Sequence, residues 1–310
     1  MTEVCIIGGS RYFGRHLVER LLDEGKAVTV LNRGSRPAPP GATHVVADRD
    51  DERALHAALG DRRFDVIVDQ VCYTPRQAAV ARRVFDGRTA RYVMTSTVEV
   101  YDPRSSPRIA GNPPCTPVGE AAVDPAVWPV DLSQPWTDPA FAEAHYGEGK
   151  RQAEAVLSGG PFAFASVRSA HVLGGDDFTG RLAHYIDRIA AGEPIGVHRT
   201  NHRASFIADW EIAAVLHWAA AGTFTGPVNA ASTGELDVVD VCTAIEDAGG
   251  GLAAFAFAEE ASPYAFDRYY GMDTSRATAL GFRFSDADSW LGEAVARAVR
   301  GPELSALHQR

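Results

Sequence analysis

Thr2-Glu3-Val4-Cys5-Ile6-Ile7-Gly8-Gly9-Ser10-Arg11-Tyr12-Phe13-Gly14 is the stretch that decides the fold. An apolar run ending in glycine reads as a buried strand. Beyond Gly14, Leu17, Leu21 and Leu22 recur at helical spacing, so an amphipathic helix is predicted there. A glycine motif acquires meaning only in such a frame of strand, turn and helix. Gly8 permits the tight turn, Gly9 lets backbone approach a pyrophosphate, and Gly14 lets the helix pack on the strand. Ser10, Arg11, Tyr12 and Phe13 complete the loop, and the helix N-terminus faces the anion. A dinucleotide site is the expectation; a purely structural turn is the alternative.

Moving outward, Ala27–Leu31 reads as a second strand, followed by Asn32 and Arg33. An NAD site usually carries a carboxylate at this point, for the ribose 2′-hydroxyl. Here Asn32 is neutral, and Arg33, with Arg11 in reach, suits a 2′-phosphate, so NADP is expected and NAD is the alternative. His44–Ala47 is a third strand, after which Asp48 either accepts from the adenine amino group or simply opens a turn. Asp65–Val71 and Arg91–Val98 are further strands, with a helix over Pro75–Phe85 between them. This alternation predicts an α/β fold, a Rossmann-type doubly wound parallel sheet. Ligands in such sheets sit at the carboxyl ends of the strands, where Thr95, Ser96, Thr97 and Glu99 lie.

Ala140–Leu157 reads as one helix containing Tyr146-Gly147-Glu148-Gly149-Lys150. Tyr146 and Lys150 share a face, one turn apart. An ammonium about 4–5 Å from a phenolate contributes about 3–4 kcal/mol at an effective dielectric of ~20. That would lower a tyrosine pKa of ~10 by two to three units, into the range useful for proton transfer. The bland alternative is a surface tyrosine beside a solvated lysine. Before this helix, Tyr101 to Asp138 is long and rich in proline, with Trp128 and Trp136. It is expected to form a lid over the site, or else to be anchored by its tryptophans. Later elements are a strand over Ala163–Val172, a helix over Asp177–Ala191 containing Arg181, and short strands at Ser205–Asp209 and Val228–Ala231 flanking the helix Glu211–Ala221. A last helix starts at Asp288. Residues 1–167 are assigned to a dinucleotide-binding domain, to which elements around 204–232 return, and 168–310 mainly to a smaller substrate-binding lobe.

The 310 residues carry a net charge of −10, which argues against binding a nucleic-acid backbone. No stretch approaches a transmembrane span, and the chain opens directly on a strand, so a cytoplasmic protein is expected. Cys5, Cys72, Cys115 and Cys242 are scattered and fit reduced thiols. His198 and His202 are separated by a turn-like Arg199-Thr200-Asn201, and no metal site is expected. A Gly-x-Ser-x-Gly elbow is absent.

The glycine motif, the strand-end threonine and Tyr146-x-x-x-Lys150, in that order, resemble the extended short-chain dehydrogenase/reductases, in particular the NAD-dependent epimerase/dehydratase group. Arg168 followed by Val172-Leu173-Gly174-Gly175, then Phe206-Ile207-Ala208-Asp209 and Asn229, extend the likeness through most of the chain. With Arg11 where the common loop has glycine, the loop resembles an atypical branch of the family. By this resemblance Thr97 would bond the substrate oxygen and Tyr146 would move its proton. Lys150 would hold the nicotinamide ribose and tune Tyr146. Thr97-Val98-Glu99 resembles the Thr-x-Glu of sugar-nucleotide 4,6-dehydratases, where the glutamate removes a proton beside a transient ketone; the dTDP-glucose type has aspartate at the place of Val98. The other reading of Glu99 is a carboxylate bonding loop backbone. His171 stands where sugar-nucleotide enzymes commonly have asparagine. The implied substrate is a sugar, nucleoside or sugar nucleotide oxidised transiently at a hydroxyl, and the likeness admits a homodimer. Two rivals are a simple NADPH-dependent ketone reductase or alcohol dehydrogenase, and a non-catalytic NADP-sensing or RNA-binding member. Some atypical members resemble chloroplast RNA-binding proteins that have lost the active tyrosine, whereas this chain keeps Tyr146 and Lys150.

Overall fold

A computed structural model describes residues 1–300 apart from 112, 114, 176, 259 and 260. The first half alternates strands and helices: β1 (Glu3–Ile7), α1 (Tyr12–Asp23), β2 (Ala27–Asn32), β3 (Thr43–Val46), α2 (Glu52–Leu59), β4 (Phe64–Asp69), α3 (Pro75–Val84) and β5 (Thr89–Thr97). Then come α4 (Pro139–Ala144), α5 (Tyr146–Ser158), β6 (Ala163–Ser169), β7 (His171–Leu173), α6 (Arg181–Ala190), β8 (Ile195–Val197), β9 (Phe206–Ala208), α7 (Asp209–Ala221) and β10 (Gly226–Ala230). The chain closes with α8 (Val238–Asp247), β11 (Phe255–Phe257), α9 (Ser275–Ala279) and α10 (Ala287–Arg300).

Seven strands form one parallel sheet in the order β10-β6-β5-β4-β1-β2-β3. It is the doubly wound Rossmann arrangement expected from the sequence. The central strands are apolar on both faces because helices cover both: Val4, Ile6, Val68 and Val93 belong to one buried cluster, Cys5, Ile7, Ile67 and Met94 to another. Strand order reverses between β1 and β4, and a crevice opens there beyond the carboxyl ends. A separate core of Leu173, Tyr185, Ile189, Phe206, Val241 and Trp290 holds the C-terminal elements together.

Two expectations about elements need correction. The strand expected over Ala163–Val172 ends at Ser169: Ala170 donates to Ala230, where β10 stops, and His171 turns to Ser205 instead. β7 then pairs with β9 in a small sheet of its own, so of the two short strands flanking α7 only β10 joins the large sheet. The helix expected over Ala140–Leu157 is two helices. Pro139 and the Asp138 cap start α4, and His145, at φ −114° and ψ 29°, breaks it before Tyr146.

The proline-rich segment is not a lid. Arg168 donates to the carbonyls of Glu120 (3.0 Å) and Val123 (2.8 Å), and Asn229 donates to those of Val118 (2.9 Å) and Asp273 (2.8 Å). Trp128 bonds Glu148 while Arg151 lies over its ring, and Trp136 is buried with its indole N–H on Asp131. The segment is strapped to α5 and the β6–β10 edge. The tryptophans are its anchors.

Candidate active site

A single cavity of about 1240 Å³ runs from the glycine loop past the carboxyl ends of β1, β4 and β5 to the C-terminal elements. It brings together every residue assigned from the sequence to catalysis or cofactor binding: Gly8, Gly9, Ser10, Arg11, Tyr12, Phe13, Gly14, Asn32, Arg33, Asp48, Thr97, Glu99, Tyr146 and Lys150. The volume exceeds the ~300–1,000 Å³ usual for one small ligand.

At the β1 end, Gly8 and Gly9 have φ of 103° and 79°, which favour glycine. A Cβ on Gly9 would meet Ile6 at 2.8 Å, and one on Gly14 would run into the Gln70 side chain. The groove is therefore cut to backbone width. α1 begins at Tyr12 with no side-chain cap and no acidic residue in its first turn, so its N-terminal N–H groups are available to an anion. These features fit a dinucleotide pyrophosphate. Asn32 is held in place, donating to Ser10 (2.7 Å) and accepting from Gly34 (2.7 Å). Arg33 and Arg36 line the cavity, exposed and without an ion-pair partner among the described residues. Arg11 lies 4.6 Å over the Phe178 ring. Asp48 accepts the Asp50 amide (3.0 Å), which is the turn expected of it, and still lines the wall.

At the β5 end, Thr97 caps the short 3-10 turn Val98–Tyr101, accepting from the Glu99 amide at 3.2 Å. Two glycines set how close α5 comes. A Cβ on Gly147 would stand 2.5 Å from the Glu99 carbonyl, and one on Gly149 would stand 2.5 Å from that of Tyr73. α5 thus lies backbone against backbone on the strand end and presents Tyr146 to Thr97. Arg151, buried, ties the contact by donating to the Val100 carbonyl at 2.9 Å.

The electrostatics differ from the sequence expectation. Lys150 is only 2% exposed. Its Nζ donates to the Thr95 carbonyl at 2.8 Å, lies 4.6 Å from the Tyr73 ring and 5.8 Å from the Tyr146 ring. Burial lowers its pKa to about 8, against the raising effect of Asp69. The Tyr146 phenol is raised rather than lowered: burial dominates and Tyr73 adds to it, while a hydrogen bond with Thr97 opposes. The lysine is aimed at Thr95, too far from the phenol to prevail. Glu99 is also raised, by burial first, with Arg268 pulling it down and Asp102 pushing it up.

Other residues around the cavity have no role assigned from the sequence. The hydroxyls of Thr95 and Ser96 and the amide nitrogen of Gln70 are buried without partners. His171 stacks on Phe266 at 4.6 Å and is held neutral, lowered to about 3 by burial and by Arg181 and Arg268. Arg268 reaches in from the C-terminal side, 3.0 Å from Asp102 and 3.8 Å from Glu99. Gly147 and Gly149 did carry a signal: two glycines inside a helix call for a close approach. No group of three metal-ligating side chains occurs among the described residues. None of the described helices is long and apolar enough to cross a membrane.

Residues 4–120 match the NAD dependent epimerase/dehydratase family. The chain is 25% identical over 212 residues to a chloroplast stem-loop binding protein of 41 kDa from Arabidopsis thaliana. That match takes in 63% of this chain but about half, 48%, of that relative's length. Among solved structures, UDP-glucose 4-epimerase of Thermus thermophilus in complex with NAD superposes with a TM-score of 0.74 at 18% identity, over 97% of this chain and 100% of that one. dTDP-glucose 4,6-dehydratase of Bacillus anthracis, also with NAD, gives 0.74 at 13% identity over 98% of each.

Proposed function

Residues 4–120 match the NAD dependent epimerase/dehydratase family, and on that likeness we propose an enzyme that transiently oxidises a hydroxyl of a sugar, nucleoside or sugar-nucleotide-like substrate. The observation that carries the proposal is the wall where Thr97, Glu99, Tyr146 and Lys150 meet in the same cavity as the glycine loop. A bound nicotinamide would take up or return a hydride at the carbinol carbon and, when oxidised, add a positive charge beside the phenol.

The chain's own residues handle protons and position. Thr97, fixed as a cap, hydrogen-bonds the reacting oxygen. Tyr146 exchanges the hydroxyl proton with that oxygen. Lys150, mostly charged at neutral pH with a pKa of about 8, holds the ribose edge of the dinucleotide. Glu99 acts on the C–H next to the oxidised carbon, and burial, which raises its pKa, makes it a stronger base than a solvated carboxylate. Arg33 and Arg36, with Arg11, select a 2′-phosphate and hence NADP over NAD. The NAD-bound epimerase and dehydratase of the same fold support nicotinamide chemistry here.

Wash-in of deuterium from ²H₂O into UDP-glucose and dTDP-glucose, with catalytic NADP⁺, tests the reading. Exchange in wild type, lost in Glu99→Gln and in Tyr146→Phe, is the expected outcome. Exchange unaffected by Glu99→Gln refutes the role of Glu99. The raised Tyr146 pKa favours one rival, since a phenol protonated at neutral pH is already a proton donor for ketone reduction. In that case NADPH would be consumed one for one with product, instead of being recycled.

A further inference from the structure

Glu99 is a carboxylate on the Thr97–Tyr146 wall, and burial raises its pKa. Its counter-charge does not come from β5 or α5. It comes from Arg268, in the segment that leads from the C-terminal lobe back to the sheet. Arg268 lies on the Tyr270 ring, 4.1 Å from its centre, and is 19% exposed. Its Nη2 faces two carboxylates, Asp102 at 3.0 Å and Glu99 at 3.8 Å, yet makes no aligned hydrogen bond and is buried. The N–H is therefore unspent between two acceptors. Asp102 is itself tethered: it accepts from the Arg104 amide at 2.8 Å, and Arg104 pairs with Asp267 at 2.5 Å.

We propose that Arg268 is a positioning residue that keeps Glu99 an ionised base, with Asp102 as the rival anion that sets how much of the guanidinium Glu99 receives. The proposal rests on the assignment of Glu99 as the group acting on the substrate C–H. It makes the base depend on the C-terminal lobe. Movement of the 263–272 segment away from the strand end would take this cation from Glu99 and raise its pKa further. The other charged or titratable groups near Glu99 are Arg104 and Arg181, both cationic, and Tyr146 and Tyr270, both neutral at ordinary pH. Arg104 pairs with Asp102 and Asp267, and Arg268 Nη1 also lies 3.5 Å from Asp267; of the two cations it is Arg268 that comes within 4 Å of the Glu99 carboxylate.

The test is a ¹³C NMR titration of glutamate-labelled full-length chain, with Glu99→Gln to assign the signal. Arg268→Met should move the Glu99 midpoint up by about one to two pH units, because a unit charge near 4 Å is removed. Arg268→Lys, which keeps the charge but not the fork, should move it less. Asp102→Asn should move it down, because a like charge goes and Arg268 Nη2 is left facing Glu99. An unmoved midpoint in Arg268→Met, or an upward move in Asp102→Asn, overturns the coupling. Should Arg268→Met fail to fold, Arg268→Lys and Asp102→Asn still decide. Failure of the catalytic premise appears elsewhere, as deuterium wash-in undiminished by Glu99→Gln.

Discussion

Gly147→Ala changes one hydrogen into a methyl at the point where α5 meets the strand end. In an ordinary helix the change stabilises by about 0.5–1 kcal/mol, since glycine has more freedom to lose. Here the new Cβ would stand 2.5 Å from the Glu99 carbonyl oxygen, 3.2 Å from its carbon and 3.5 Å from Arg151 Nη1. A comfortable carbon–oxygen approach is about 3.3 Å, so the helix must retreat by roughly 0.8 Å. Both partners at the closest contact are main chain, and no rotamer can relieve it. Overpacking of this kind costs about 1–3 kcal/mol, which outweighs the helical gain. The expected net loss is about 1–2 kcal/mol, or a Tm lower by about 2–6 °C for a chain of this size. Gly292→Ala, in α10 with nothing within 4 Å, is the matched control and should raise stability by about 0.5–1 kcal/mol. Urea unfolding of the three proteins reads both signs. NADPH binding should survive in Gly147→Ala, since the glycine loop is remote, while turnover falls by about 10²-fold as Tyr146 leaves Thr97. If Gly147→Ala is as stabilising as Gly292→Ala, the close approach is not real.

Glu154→Ala should cost about 3–5 kcal/mol in urea unfolding, because it leaves the fully buried Arg168 without the carboxylate that pairs with it at 2.6 Å. Adding Arg168→Met should recover much of that loss while exposing the 101–138 segment to protease, since its carbonyls at Glu120 and Val123 lose their donor. For Lys150, the native pKa of about 8 lies below the unfolded value of about 10.5. Between these pH values the unfolded chain holds the extra proton, so stability rises with pH across that window. Wild type should gain about 3 kcal/mol relative to Lys150→Met as pH goes from 8 to 10.5, and a flat difference contradicts the burial argument. Removing Arg33 and Arg36 together should weaken NADP⁺ binding by about 10- to 100-fold and leave NAD⁺ binding nearly unchanged in calorimetry; equal losses would sink the 2′-phosphate assignment.

The sheet was legible because most strands of the first half are short apolar runs closed by a turn, and because Gly8, Gly9 and Gly14 stand in a frame of strand, turn and helix. The dinucleotide end of the cavity followed from it. What escaped were features set by partners distant in the chain. Ala163–Val172 looks like one strand, and only the end of β10 at Ala230 cuts it at Ser169. The prolines and tryptophans of 101–138 promised either a lid or a strap. The choice fell to Arg168 and Asn229, whose donors face that segment from the sheet. The Tyr146–Lys150 spacing correctly put both side chains on one face, but spacing says nothing about where an ammonium points. Lys150 turns to the Thr95 carbonyl, and burial of the phenol then governs its pKa. Arg268, more than a hundred residues beyond Glu99, offered no pattern at all.

Hydrogen–deuterium exchange with and without NADPH tests the central claim most directly, because it asks whether the glycine loop and the Tyr146 wall serve one ligand. The account predicts that NADPH slows exchange together in peptides covering residues 8–14, 95–101 and 146–150. Protection confined to 8–14, or none at any of the three, would contradict it.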